Sequence, residues 1–146
     1  MTSVIKQIQV GLLAMLAFGL CMADELPYKD GTVSRVSSVK VKEGHFNEYM
    51  TYLSTTYRQV MEEAKKEGLI VSYSIYGASP KTPQEPDLYL LVEFQNMAAL
   101  DGLDSKMSVL SAKVFGSLKQ ADQKDAERDS MRTVLGSELI KELKFK

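Results

Sequence analysis

TVSRVSSVKVKEGHFNEYMTYLSTTYRQVMEEAKKEG, residues 32–68, changes its periodicity partway along, and that change decides the fold. Residues 32–42 are rich in β-branched side chains and read as a strand. Glu43-Gly44 breaks the run. Beyond it, Phe46, Tyr49, Met50, Leu53, Tyr57, Val60, Met61 and Ala64 recur at helical spacing and lay one apolar stripe along an α-helix. Lys65 and Lys66 fall in the last turn, where positive charge complements the helix dipole. Gly68 suits the position just past the end, where the backbone turns left-handed.

Downstream, LIVSYSIY (69–76) and LYLLVEF (88–94) read as two more strands. GASPKTPQEPD (77–87) lies between them, holds three of the four prolines and must be a loop, so the pair forms a long hairpin. Leu88, Leu90, Val92 and Phe94 share one side of the third strand, and Tyr89, Leu91 and Glu93 the other. In the second strand Val71, Tyr73 and Ile75 oppose Ile70, Ser72, Ser74 and Tyr76. The more apolar sides are expected to meet the helices. Asn96 is a plausible N-cap for a short helix from Met97. Residues 105–131 continue as helix, with Met107, Leu110, Val114 and Leu118 on one stripe, although QADQKDAERD weakens the pattern. Gly136 interrupts, and residues 137–144 close the chain as a fourth strand.

The predicted order is β-α-β-β-α-β. VKVKEGHFNEYMTYL and LVEFQNMAALDGL echo one another as strand, polar break and amphipathic helix. Both features describe an α+β, ferredoxin-like fold, an antiparallel sheet with its helices on one face. The opposite face still carries Leu91, Ile70 and two tyrosines, too much apolar surface to stay wet, so a second sheet is expected to cover it.

Upstream, residues 1–23 read as a bacterial-type signal peptide. Lys6 gives the positive start, VGLLAMLAFGL (10–20) the short apolar run, and Cys21-Met22-Ala23 the small residues before a cut at Asp24. The run is too short for a comfortable membrane span. The expected product is exported, periplasmic or extracellular, with a lead-in over 24–31 and one domain over 32–146. Cleavage after Ala23 removes the lone cysteine; lipidation at Cys21 is the other fate, disfavoured by Leu20 before it. Without Cys21 there is no disulfide and no thiolate metal site. The 18 basic and 19 acidic residues become 17 and 19 when Lys6 is removed, a net −2. Such a balance gives no pull on nucleic acid or anionic membrane, and neither is an expected partner.

VKVKEGHFNEY (39–49) resembles the strand, glycine-containing turn and aromatic-bearing helix of the dimeric α/β-barrel superfamily. That superfamily includes antibiotic-biosynthesis-monooxygenase-like and stress-responsive barrel domains. YLLVEFQNMAAL (89–100) is similar to its third strand running into its second helix. The resemblance covers about residues 32–143 and rests on fold motifs. It implies a homodimer in which two sheets pair face to face, helices cover the outside and a cavity forms between the sheets. The superfamily hosts haem-degrading oxygenases, quinol-type monooxygenases, cyclases, dismutase-like enzymes and domains without known activity, so the fold does not choose a chemistry. Its haem-degrading members use an Asn, a Trp and a His. This chain has no Trp and its one His starts a helix, which speaks against haem degradation.

Three residues are candidate catalytic groups. His45 is the only imidazole; a helix N-terminus disfavours its charged form and leaves it usable as a base. It reads equally as a solvated first-turn residue. Glu93 interrupts an apolar strand, and in a cavity burial would raise its pKa and make it an acid or base. Tyr89 shares its face. Four residues are candidate ligand contacts: Arg35, which would neutralise Glu93, Ser72 and Ser74, which would line a polar wall, and Tyr76. Against these stand a structural Glu–Arg pair and small residues that merely let two sheets approach. The sequence has no serine-nucleophile elbow, phosphate loop, calcium-loop spacing or second histidine, so no cofactor and no metal are expected.

The leading expectation is an exported homodimer that binds a small, partly apolar or aromatic molecule between its sheets. Two alternatives stand beside it. One is a cofactor-independent monooxygenase acting on a phenol or quinol through Glu93, Tyr89, Tyr76 and His45. The other is a structural or protein-interaction domain with a filled barrel.

Overall fold

The computed structural model describes residues 25–146; the expected signal peptide and Cys21 lie outside them. The order is β1 (Tyr28–Val41), α1 (Phe46–Tyr52), a π-helical turn (Leu53–Tyr57), α2 (Arg58–Lys66), β2 (Ser72–Gly77), β3 (Leu88–Phe94), a 3-10 turn (Met97–Leu100), α3 (Leu103–Phe115), α4 (Leu118–Met131) and β4 (Arg132–Phe145). The four strands form one open antiparallel sheet in the order β2-β3-β1-β4. This is the expected α+β, ferredoxin-like arrangement, with the helices on one face.

Alternation along the strands sorts the two faces. Val33, Val39 and Val41 of β1 and Leu88, Leu90 and Phe94 of β3 are buried beneath the helices. Tyr49, Tyr52, Leu53, Val60, Met61 and Ala64 come down onto them from the first helical arm, and Leu103, Leu110 and Met131 from the second. Burial on this scale, at roughly 1.5–3 kcal/mol for each large apolar side chain, is what holds the layers together. Phe46 belongs to the predicted stripe but is exposed at the helix start.

Four boundaries differ from the sequence reading. β1 begins at Tyr28, so half of the expected lead-in is strand, and it pairs with the end of β4. β2 starts three residues later than expected, at Ser72. The expected helix over 105–131 is two helices: Gly116 turns left-handed at φ 91° and Ser117 caps α4 by accepting from the Gln120 amide at 3.2 Å. That reversal lets α4 pack on α3 and α1. β4 begins at Arg132 and runs through Gly136, where Ser38 pairs with Gly136 and Val39 with Val134; the skipped Leu135 is a β-bulge.

The 77–87 loop is pinned by Asp87. Its amide donates to the Val39 carbonyl at 2.9 Å, and its carboxylate accepts from the Val41 amide and the Lys40 ammonium, each at 2.9 Å. Burial pushes this carboxyl up, but the hydrogen bonds from Lys40 and Val41 outweigh it and hold the pKa below the usual range. A depressed carboxylate stabilises the fold above its unfolded pKa, and the contribution is lost as pH falls through the folded value. Asp87→Asn should therefore cost about 1–2 kcal/mol near neutral pH. The gap from wild type should close as pH falls through the depressed pKa of Asp87, below the ordinary aspartate range. Urea titrations across that range check this; a gap that stays constant would rule out the ionised carboxylate as the cause.

Candidate functional site

The face away from the helices is built in three rungs. Ser72, Glu93, Ser34 and Ile140 form one, Ser74, Leu91, Val36 and Glu138 the next, and Tyr76, Tyr89, Ser38 and Gly136 the third. Five of the residues singled out in the sequence therefore share one face: Glu93, Tyr89, Ser72, Ser74 and Tyr76. Ser72 donates its hydroxyl to Glu93 at 2.6 Å. That bond, with a second from Thr32, holds the Glu93 pKa below the usual carboxylate range. Glu93 is thus an ionised acceptor, and the rise expected from burial is absent.

Two of the residues lie elsewhere. His45 sits at the start of α1, its Nδ1 2.8 Å from the Glu48 carboxylate. Glu93 pairs with Ser34, at the other end of β1 from the turn that carries His45. Seven residues of strand at ~3.3 Å each put more than about 20 Å between them. Arg35 is on the helix-covered face, paired with Val92, so it does not neutralise Glu93. One step of register reverses every side chain, and Arg35 is one step from the rung that holds Glu93.

Arg35 instead forms the floor of a cavity of about 370 Å³ between the helices and the sheet. Its guanidinium carbon lies 5.7 Å from the centroid of the buried Phe94 ring, a cation–π contact. No carboxylate pairs with it among the described residues. Tyr52 and Tyr57 wall the cavity from the first helical arm, Met107 and Ser111 from α3 and Arg128 from α4. A smaller apolar recess of about 90 Å³ opens beside Arg35, lined by Met61, Ile70, Phe94, Leu103 and Met107. Asp104, Asp122 and Asp125 stand at the exposed rim.

The π-helical turn explains how both tyrosines reach one cavity. Five residues apart on an α-helix, two side chains diverge by about 140°. The wider i→i+5 turn over Leu53–Tyr57 removes much of that divergence. The hydroxyls of Ser54 and Thr55 occupy the Thr51 carbonyl at 3.0 and 2.7 Å, satisfying an acceptor beside the disrupted ladder. Burial pushes the pKa of both Tyr52 and Tyr57 up to about 12, so both keep their protons at neutral pH. Their 3.6-residue spacing placed Tyr57 on the predicted stripe and left Tyr52 off it. No sequence signal marks Arg128, which stands 93 positions from Arg35 in the chain.

Among the described residues no cluster of His, Cys, Asp and Glu is arranged to hold a metal ion, and no helix is long and apolar enough to cross a membrane. No protein-family model matches the sequence, and no curated protein matches it. Among solved structures, the crystal structure of HapK from Hahella chejuensis is similar in fold, with a TM-score of 0.52 over 75% of this chain and 91% of that one. At 9% identity this likeness speaks for the fold alone.

Proposed function

We propose that this protein is an exported homodimeric member of the dimeric α/β-barrel superfamily that binds a small, partly apolar molecule, and that the molecule sits in the cavity between the helices and the sheet. The observation that carries this reading is Arg35. It lies in the middle of the sheet, at the floor of that cavity, without an ionic partner among the described residues. Arg35 is half-buried, and its guanidinium donors are left for water or a ligand to satisfy. A cavity of about 370 Å³ is at the small end of ligand pockets, which run from ~300 to 1,000 Å³.

This reading puts the binding site on the helix side, whereas the sequence reading put it between two sheets. The open face takes the other role, as the surface on which a second copy docks. Leu91 and Val36 lie side by side at its centre, with Tyr89 and Tyr76 beside them. The β4 edge is uncovered on both sides and exposes apolar side chains among its charged ones: Ile140 on one side, Leu139 and Leu143 on the other. Edges of this kind invite pairing, and a twofold copy presents the same strip to itself.

Native mass spectrometry of the protein, purified without refolding from the compartment to which it is exported, tests the reading. The expected result is a dimer that carries extra mass released on denaturation. Ser111→Phe, which fills the cavity from α3, should remove that mass and leave the dimer. Retained mass that survives Ser111→Phe would place the ligand elsewhere, and a bare dimer would reject the binding reading.

A further inference from the structure

We infer that the ligand of this cavity is a small monocarboxylic acid with an apolar or aromatic body. The inference rests on the proposed binding role and goes further, because Arg35 at the floor of the cavity is a cation without an ionic partner among the described residues, set beside an apolar recess. Arg35 and Arg128 have donors and no acceptor. The Arg128 Nε is enclosed and has no hydrogen-bond partner among the described residues. Its Nη2 is held by Asp125 at 3.1 Å and its Nε lies 3.6 Å from the Asp129 carboxylate, so Arg128 is already ion-paired and closes the wall rather than offering a free charge. Tyr52 and Tyr57 contribute hydroxyls that stay protonated, and neither has a protein partner among the described residues. The Arg35 guanidinium and the two hydroxyls call for an acceptor, and the unpaired guanidinium favours an anionic one.

The remainder of the lining sets the size and charge of that anion. The recess beside Arg35 is lined by Met61, Ile70, Phe94, Leu103 and Met107 and takes an apolar body. Methionine adapts to irregular or aromatic shapes and makes favourable sulfur–ring contacts. Asp104, Asp122 and Asp125 at the mouth repel anions in proportion to their charge, which favours a single carboxylate that reaches Arg35 over a polyanion. A single carboxylate that reaches Arg35 while its body fills the recess satisfies each of these groups. The space holds about a dozen waters at ~30 Å³ each, and emptying it returns them to bulk.

The test is a panel of matched pairs of small molecules, each a carboxylic acid and its primary amide, such as naphthalene-2-carboxylate and naphthalene-2-carboxamide. Binding is read from the methyl signals of Met61 and Met107 in the full chain. The acids should bind about tenfold or more tightly than their amides. Arg35→Gln should erase that preference, and Arg35→Lys should restore part of it. Circular dichroism shows that each variant is folded. Amides that bind as well as acids, with the methyls shifting, would overturn the assignment of the ligand class and leave the cavity as a binding site. If no member of the panel moves either methyl, the binding reading itself fails.

Discussion

Leu91→Arg is expected to turn the protein from a dimer into a monomer. Leu91 stands at the centre of the open face, half-buried between Ser74 and Val36, and no helix touches that side of the sheet. In a twofold interface each copy would bring one arginine into the apolar centre, so two unpaired charges would be buried together. Even at about 2 kcal/mol for each, well below the penalty for a fully buried charge, the dimer would weaken by ~4 kcal/mol, or roughly a thousandfold in Kd. Sedimentation velocity at micromolar concentration reads the change directly. The monomer should stay folded, because the helix-side core is untouched. A wild-type protein that sediments as a monomer, or a variant that still dimerises, would remove the open face as the docking surface.

Phe94→Ala should destabilise the fold by about 3–5 kcal/mol, the usual cost of deleting a fully buried aromatic ring. Phe94 is only 1% exposed and packs with Ile70, Leu103 and Leu110 where β3 passes under both helical arms. For a domain of this size that loss lowers the melting temperature by ~10 °C or more. The same ring lies under the Arg35 guanidinium and lines the apolar recess. Ligand retention should therefore fall in the fraction that remains folded, beyond what the stability loss explains. Urea unfolding followed by circular dichroism measures the first effect. A cost below about 1 kcal/mol would mean that the core closes around the missing ring, against the usual behaviour of packed interiors.

The fold was legible because its two periods are clean. Leu88, Leu90, Val92 and Phe94 alternate without a break, and all four face the helices. Tyr49, Leu53, Val60, Met61 and Ala64 repeat as a helix should, and all five are buried. Asn96 caps the short turn after β3, accepting from the Ala99 amide at 3.1 Å. What failed to show were local irregularities that periodicity cannot encode. The π-helical turn shifts the phase of the stripe between Tyr52 and Tyr57, and the bulge at Leu135 let β4 run straight through a glycine.

The site was legible only in pieces. Arg35 was singled out for a partnership with Glu93 that the register forbids, because the two residues lie on opposite faces. Ser72 and Glu93 do meet, as members of one rung. The helix-side cavity joins β1, the first helical arm, α3 and α4, and it exists only once Gly116 and Ser117 have turned α4 back. No local pattern announces a space made by elements so distant in the chain. The proline-rich loop contributes nothing to its lining.

The most direct test is a crystal structure of the protein purified, without refolding, from the cells that make it. Density for a bound molecule should fill the space between Arg35, Tyr57 and Met107, with an acceptor group facing the guanidinium. Density between two facing sheets instead, or an Arg35 turned into an ion pair across a collapsed cavity, would contradict the account.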